Sequence, residues 1–278
     1  MDELLESPLG ISSPGIVSAM DEMSFWSAPF GMRLLETIRY SKGLRVLDIG
    51  SGLGFPSIEL AMRLGESSSV YGIDPWHDAV CRLKDKSTLY GLKNTLVFEC
   101  RAEKMPFRSG VFDLIVSNNG MNNVQDISGA ISEAKRVSKV GSQFVFTFNT
   151  EGTFTEFYQA FRETLYDMGM PEYNSELRKH IFEKRKPVAF VENLLKISGF
   201  MIESIRDDVF SYYFSDGSAF FRHFFIRFFF LGSWRDIIPP KDRRRFFHEL
   251  EKRLNDMARK NGHLQLRVPF VVIDCRSS

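Results

Sequence analysis

The chain of 278 residues is 44% hydrophobic, 26% charged and formally +1, which supplies apolar material for a sizeable core and leaves nucleic acid without the basic footprint of a habitual partner. Its three cysteines, Cys81, Cys100 and Cys275, are odd in number and lack C-x-x-C spacing, which points to a reducing compartment and away from structural metal. The first 15 residues are acidic and carry Pro8 and Pro14 where a leader would be basic and apolar, and the most apolar run, 219–231, is broken by Arg222, His223 and Arg227, so a cytoplasmic protein without a transmembrane segment is expected.

In chain order, an N-terminal helical segment (1–40) contains the aromatic stretch Met23-Ser24-Phe25-Trp26-Ser27-Ala28-Pro29-Phe30 and a helix reaching about Tyr40. Residues 41–150 then alternate strand and helix, the pattern of a parallel sheet covered on both faces. Strands are expected at 45–49, 69–73, 95–99, 112–116 and 142–148, with helices near 56–64 and 77–90. Asp126 can cap a further helix whose Ile127, Ile131, Ala134 and Val137 lie on one stripe.

The run Val46-Leu47-Asp48-Ile49-Gly50-Ser51-Gly52-Leu53-Gly54 is an apolar strand that carries an acid and opens into three alternate glycines before a helix. Glycines there let the backbone take positive φ and approach a ligand closely, while the helix offers free N–H groups. The spacing G-x-G-x-G differs from the dinucleotide fingerprint G-x-G-x-x-G. An acid at Asp48 would repel a pyrophosphate and suits a ligand carrying an ammonium group.

This arrangement resembles the first motif of the class I S-adenosylmethionine-dependent methyltransferases, and four later segments continue the likeness. Asp74 ends the second strand and is followed by Pro75; Cys100-Arg101-Ala102-Glu103-Lys104-Met105-Pro106-Phe107 follows the third; Phe112-Asp113-Leu114-Ile115-Val116-Ser117-Asn118-Asn119 matches the fourth motif; and residues 133–141 match the helix and turn before strand five. Lys139-Val140-Gly141 departs from the family's lysine-proline-glycine turn. The resemblance implies S-adenosyl-L-methionine as cofactor. It places Gly50, Ser51, Gly52 and Gly54 around the ligand, Asp48 toward the ammonium, Asp74 and Pro75 at the ribose, Ala102 and Glu103 at the adenine, and Asn118 and Asn119 near methionine and acceptor. It also implies an α/β fold: a Rossmann-like, mostly parallel seven-stranded sheet with an antiparallel last strand, plus helical cap insertions.

Past strand five the pattern changes. A helical cap insertion (151–187) carries helices at 154–168 and 174–184; a core continuation (188–212) supplies a helix and a strand; an aromatic helical cap insertion (213–262) follows; and a final core strand closes the chain (263–278). The insertions are expected at the carboxyl edge of the sheet, where open α/β folds bind ligands. Many of the 27 phenylalanines fall in the second insertion. At helical spacing Phe220, Phe224 and Phe228 form one row and Phe221, Phe225 and Phe229 the next, a broad apolar face. That face reads either as helix packing or as a pocket wall, and Phe220, Phe221, Phe224 and Phe225 are the candidate acceptor contacts, joined by Asn122 from the loop after strand four. His223, inside the aromatic stretch, is the candidate general base; its alternative is a solvent-facing position.

The expected function is transfer of a methyl group from S-adenosyl-L-methionine to a small, largely hydrophobic or aromatic molecule, without metal or nucleic acid. A noncatalytic protein that binds the same cofactor, or a protein or lipid methyltransferase, is the alternative. Peripheral membrane contact and a homodimer stay open.

Overall fold

The computed structural model describes Met1, Leu4, Leu5, residues 15–21 and residues 25–278. Pro8, Pro14, Met23 and Ser24, on which part of the N-terminal reading rests, lie outside the described residues. Helices α1 (Ile16–Asp21) and α2 (Ser27–Thr37) precede the alternation β1 (Arg45–Ile49), α3 (Ser57–Leu64), β2 (Ser69–Asp74), α4 (His77–Leu89), β3 (Thr95–Glu99), β4 (Phe112–Asn118), α5 (Ile127–Val137) and β5 (Ser138–Asn149). Then come α6 (Thr155–Asp167), α7 (Asn174–Lys184), α8 (Val188–Ile197) and β6 (Phe200–Phe214). The chain closes through α9 (Gly217–Arg222), α10 (Phe224–Ile226), a π-helical turn (Arg227–Leu231), α11 (Gly232–Arg235), α12 (Pro240–Asn261) and β7 (Leu264–Ser277).

The seven strands lie in the order β3-β2-β1-β4-β5-β7-β6. Strands β1 to β5 are mutually parallel, and β7 runs antiparallel to β5, as the resemblance implied. The central strands read as continuous apolar runs because both faces are covered: Val46, Leu47, Leu114, Ile115, Val116, Phe144, Val145 and Phe146 are buried. Covering helices present stripes at turn spacing, as α5 does with Ala130, Ile131, Ala134 and Val137. Strand order reverses at β1 and β4, which makes the ends of those two strands the switch point where open α/β sheets bind ligands. Strand β5 starts four residues before the expected 142, because Ser138 already pairs with Phe112 and an irregularity absorbs the Lys139-Val140-Gly141 segment.

The chain divides into two compact units, one of residues 17–150, 186–208 and 270–278 and one of residues 1–16, 151–185 and 209–269. The first contains the β1-to-β5 sheet. The second is helical and aromatic. Its long helix α12 begins at Pro240, whose fixed φ suits a first helical position, and stops at Gly262 in the left-handed region (φ 81°). Phe246, Phe247, Leu250, Leu254 and Ala258 form its buried stripe. Phe161 packs on Phe246 with ring centroids 4.6 Å apart, and Phe157 on Trp234 at 4.1 Å.

One expected element is replaced. The single helix predicted through Phe220 to Phe229 is interrupted at His223, whose φ of −60° and ψ of 128° are extended, and the chain then passes through α10 and the π-helical turn. An unbroken helix here would gather Phe220, Phe221, Phe224, Phe225, Phe228 and Phe229 on one broad face, with Arg222, His223 and Arg227 opposite. The break and the wider turn instead send Phe220, Phe221, Phe230, Leu231 and Trp234 inward.

Candidate active site

Asp48 is the penultimate residue of β1, directly across from Gly72 of β2, and is fully buried. Its Oδ2 accepts a 2.5 Å hydrogen bond from the Ser57 hydroxyl at the start of α3, tying strand end to helix start. Oδ1 is buried with no partner among the described residues. Burial first, and then the Asp74 charge, push the Asp48 carboxyl up to about 7. Gly72 is what makes room: a Cβ there would stand 3.0 Å from Ser51 Oγ and 3.3 Å from Ser57 Oγ.

The loop that follows is held from the strands. The N–H groups of Gly50 and Ser51 both donate to the Ile73 carbonyl, and Gly54 N–H donates to the Ser51 carbonyl. Gly50, Gly52 and Gly54 all have positive φ (75°, 49° and 111°), which side-chain-bearing residues rarely adopt. At Gly52 no atom stands within 4 Å of a projected Cβ. Asp74 reaches back into this loop: Gly52 N–H donates to its Oδ2 and Trp76 N–H to its Oδ1, each at 2.9 Å. Burial raises its pKa against those two bonds. Each oxygen keeps a second lone-pair direction for a ligand hydroxyl.

The remaining predicted cofactor residues divide by how far their polar atoms are already used. Pro75 is exposed and Ala102 buried. Glu103 Oε1 accepts from the N–H groups of Gln125 and Asp126 at 2.9 and 3.1 Å, fixing the loop before α5. Asn118 Nδ2 donates to the Ser27 carbonyl, and its Oδ1 accepts from the Thr147 hydroxyl. Asn119 holds a left-handed φ of 58°, donates its N–H to Thr147 and accepts from Asn149 N–H through Oδ1. Asn122 Nδ2 donates to the Asn149 carbonyl.

Three glycines that sequence reasoning passed over build this site. Gly120 packs on Gly50: a Cβ on Gly120 would stand 2.6 Å from the Ile49 carbonyl oxygen and 3.3 Å from Gly50 Cα, so the loops after β1 and β4 approach backbone to backbone. Gly31 in α2 admits the Phe55 ring, which would lie 2.1 Å from a Cβ there. Gly72 is the third. A glycine across from the motif acid was the readable signal for Gly72; nothing local marks Gly31.

In the helical unit, Phe220 and Phe221 are fully buried and pack on Phe157, with Phe220 also stacked on Trp234. Phe224 and Phe225 are half-buried and pair with Phe228 and Phe229. His223 sits at the break between α9 and α10, edge-on to Phe214 at 5.5 Å, with Nδ1 buried and unpartnered among the described residues. Burial lowers its pKa, which leaves a neutral imidazole near pH 7.

A residue set of this kind fits S-adenosylmethionine. Two buried polar atoms of the site, Asp48 Oδ1 and Ser51 Oγ, have no hydrogen-bond partner among the described residues, the glycine loop leaves room at Gly52, and Asp74 offers two oxygens to a diol. Fold and site together define a Rossmann-like methyltransferase. A family model described as a methyltransferase domain matches residues 40–186, just over half of the chain, and the chain belongs to that family of S-adenosylmethionine-dependent enzymes. Among its relatives is malonyl-[acyl-carrier protein] O-methyltransferase of Geobacter sulfurreducens, 29% identical over 194 residues, 69% of each chain. The ubiquinone/menaquinone biosynthesis C-methyltransferase of Xanthomonas oryzae is 34% identical over 108 residues, 38% of this chain and 43% of that one. The crystal structure of a SAM dependent methyltransferase from Aquifex aeolicus superposes with a TM-score of 0.53 at 21% identity, covering 69% of this chain and 91% of that one, a likeness of fold.

Proposed function

We propose that this methyltransferase acts on a small, largely hydrophobic or aromatic acceptor in the cytoplasm. The observation that carries the reading is the aromatic unit itself. Phe224, Phe225, Phe228 and Phe229 leave a partly exposed aromatic surface on a core already filled by Phe157, Phe220, Phe221 and Trp234. Named relatives act on an acyl-carrier-bound malonyl group and in quinone biosynthesis, in keeping with small-molecule acceptors.

When bound, the cofactor would supply a methyl group activated for transfer by its positive sulfur. The chain's own residues then have separate tasks. Asp48, Gly50, Ser51, Gly52 and Gly54 receive the amino-acid end of the cofactor; Asp74 and Pro75 border its ribose, Ala102 and Glu103 its adenine; Asn118, Asn119 and Asn122 shape the loop beside it. Phe224 and Phe225, which pair with Phe228 and Phe229, hold the acceptor's apolar body. For an acceptor that must lose a proton, His223 receives it as a neutral imidazole.

The reading is tested by incubating the protein with methyl-labelled S-adenosylmethionine and a metabolite extract fractionated by polarity, followed by mass spectrometry of whatever gains label. Label is expected in the apolar fractions. Label confined to polar amino acids, to protein or to lipid would replace the acceptor class.

A further inference from the structure

Arg185 closes helix α7 and is only 7% exposed. A buried guanidinium ordinarily has a carboxylate beside it, since an uncompensated charge in the interior is destabilising by several kcal/mol. Arg185 has none among the described residues. Its side chain makes one hydrogen bond, from Nη1 to the Lys184 carbonyl at 2.9 Å, and its carbon centre lies 5.8 Å from the Phe230 ring centroid. Among the described residues Nε is buried without a partner, and Nη2 makes no hydrogen bond. The unspent donors are therefore the Nε–Nη2 edge, the side of the guanidinium that takes both oxygens of a planar anion.

The neighbouring polar groups do not compensate the charge. Trp234 Nε1 donates to the Tyr158 hydroxyl at 3.1 Å, and that hydroxyl lies 3.3 Å from His180 Nε2. Burial, then Arg185 and Lys184, push His180 down to about 4. The imidazole is thus neutral at pH 7 and shares a hydrogen bond with the tyrosine hydroxyl through Nε2, so Tyr158, His180 and Trp234 are partnered with one another. Among the described residues the Arg185 charge therefore has no carboxylate to meet it and lies beside the Phe230 ring.

We propose that Arg185 is the anchor for a carboxylate carried by the acceptor, so that the substrate class is an amphipathic acid: an aromatic or apolar body lying on the phenylalanines of residues 209–269, with a carboxylate on the Nε–Nη2 edge. This rests on the acceptor reading given above and narrows it. Arg185 is the middle member of a lysine-arginine-lysine run at 184–186, and its burial is what gives it a ligand-binding reading.

Binding without turnover tests the proposal, so that its failure is separable from failure of methyl transfer. The full chain, saturated with S-adenosylhomocysteine, is titrated calorimetrically with 2-naphthoate, its methyl ester and 2-naphthyl phosphate. The acid is expected to bind at least tenfold more tightly than the ester and more tightly than the phosphate. Arg185→Met should abolish the preference for acid over ester while melting no lower than the wild type, because it removes an uncompensated buried charge. Arg185→Lys, which keeps the charge and loses the fork, should reduce the preference several-fold with adenosylhomocysteine affinity unchanged, and it decides the matter if the methionine variant does not fold. Equal binding of acid and ester by the wild type, or a preference preserved in either variant, overturns the proposal. Tighter binding of the phosphate overturns the carboxylate assignment.

Discussion

Asp48 combines a fully buried carboxylate, one hydrogen bond to Ser57 and an unpartnered Oδ1, and its folded pKa of about 7 stands well above the ordinary carboxylate value of about 3.9. The folded state therefore holds this proton where the unfolded state has released it. Its contribution to stability is complete below the unfolded value and is lost as pH rises through about 7. Thermal melts of the ligand-free protein should show stability declining from pH 5 to 8, and Asp48→Asn should flatten that decline. Adenosylmethionine affinity should move the other way in the wild type, tightening as the carboxylate ionises to meet an ammonium group, and lose this trend in Asp48→Asn. For Asp74, whose two oxygens are aimed at Gly52 and Trp76 N–H groups, Asp74→Ala should weaken cofactor binding by about 1.5 to 3 kcal/mol, the range for charge-assisted hydrogen bonds. Calorimetry on samples of matched circular dichroism reads both effects. At this scale Asp48, Asp74 and the three loop glycines were legible because an apolar strand ending in an acid and alternate glycines has few other uses. Gly31 and Gly120 were not, since what they touch is distant in sequence.

Elements were readable wherever a strand's apolar run or a helix's stripe stood between turn residues, which is why β1 to β4 and α5 appear near their expected ranges. The aromatic stretch failed that test for a physical reason: no glycine or proline marks the break at His223, and the helical spacing of its phenylalanines continues straight through it. The consequence divides the phenylalanines. Phe220→Ala and Phe221→Ala, which empty fully buried positions, should lower stability by about 3 to 5 kcal/mol in denaturant titrations. Phe224→Ala or Phe225→Ala should instead raise the acceptor KM and leave cofactor affinity nearly intact; unchanged kinetics per folded molecule would remove both from the acceptor site. The loop contact is as sharply testable. Gly120→Ala drives a Cβ toward the Ile49 carbonyl oxygen at 2.6 Å, and should lower stability by about 1 to 3 kcal/mol together with cofactor affinity. With an acceptor in hand, the wild-type kcat should rise with pH through an imidazole titration set below its ordinary value by burial. His223→Ala should lose that limb and roughly 10²-fold in rate, and a variant retaining near-normal kcat would eliminate the role.

For the whole molecule, the seven-stranded order and the antiparallel β7 follow from alternating elements and from the ordered motifs of residues 46–119, while the 209–269 segment has no such guide. Its organisation is set by long-range aromatic packing, such as Phe157 on Trp234 and Phe161 on Phe246, and by a buried arginine that sequence presents as one member of a basic run. Among the described residues no helix is long and apolar enough to cross a membrane. The most direct measurement is the yield of S-adenosylhomocysteine when the intact chain is given S-adenosylmethionine and an apolar metabolite fraction, compared with Asp74→Ala under the same conditions. The account predicts adenosylhomocysteine formed in proportion to methylated small molecule, and a rate in Asp74→Ala that is strongly reduced and partly restored at high cofactor concentration. Tight cofactor binding with no adenosylhomocysteine above the enzyme-free blank across the fractions would contradict it.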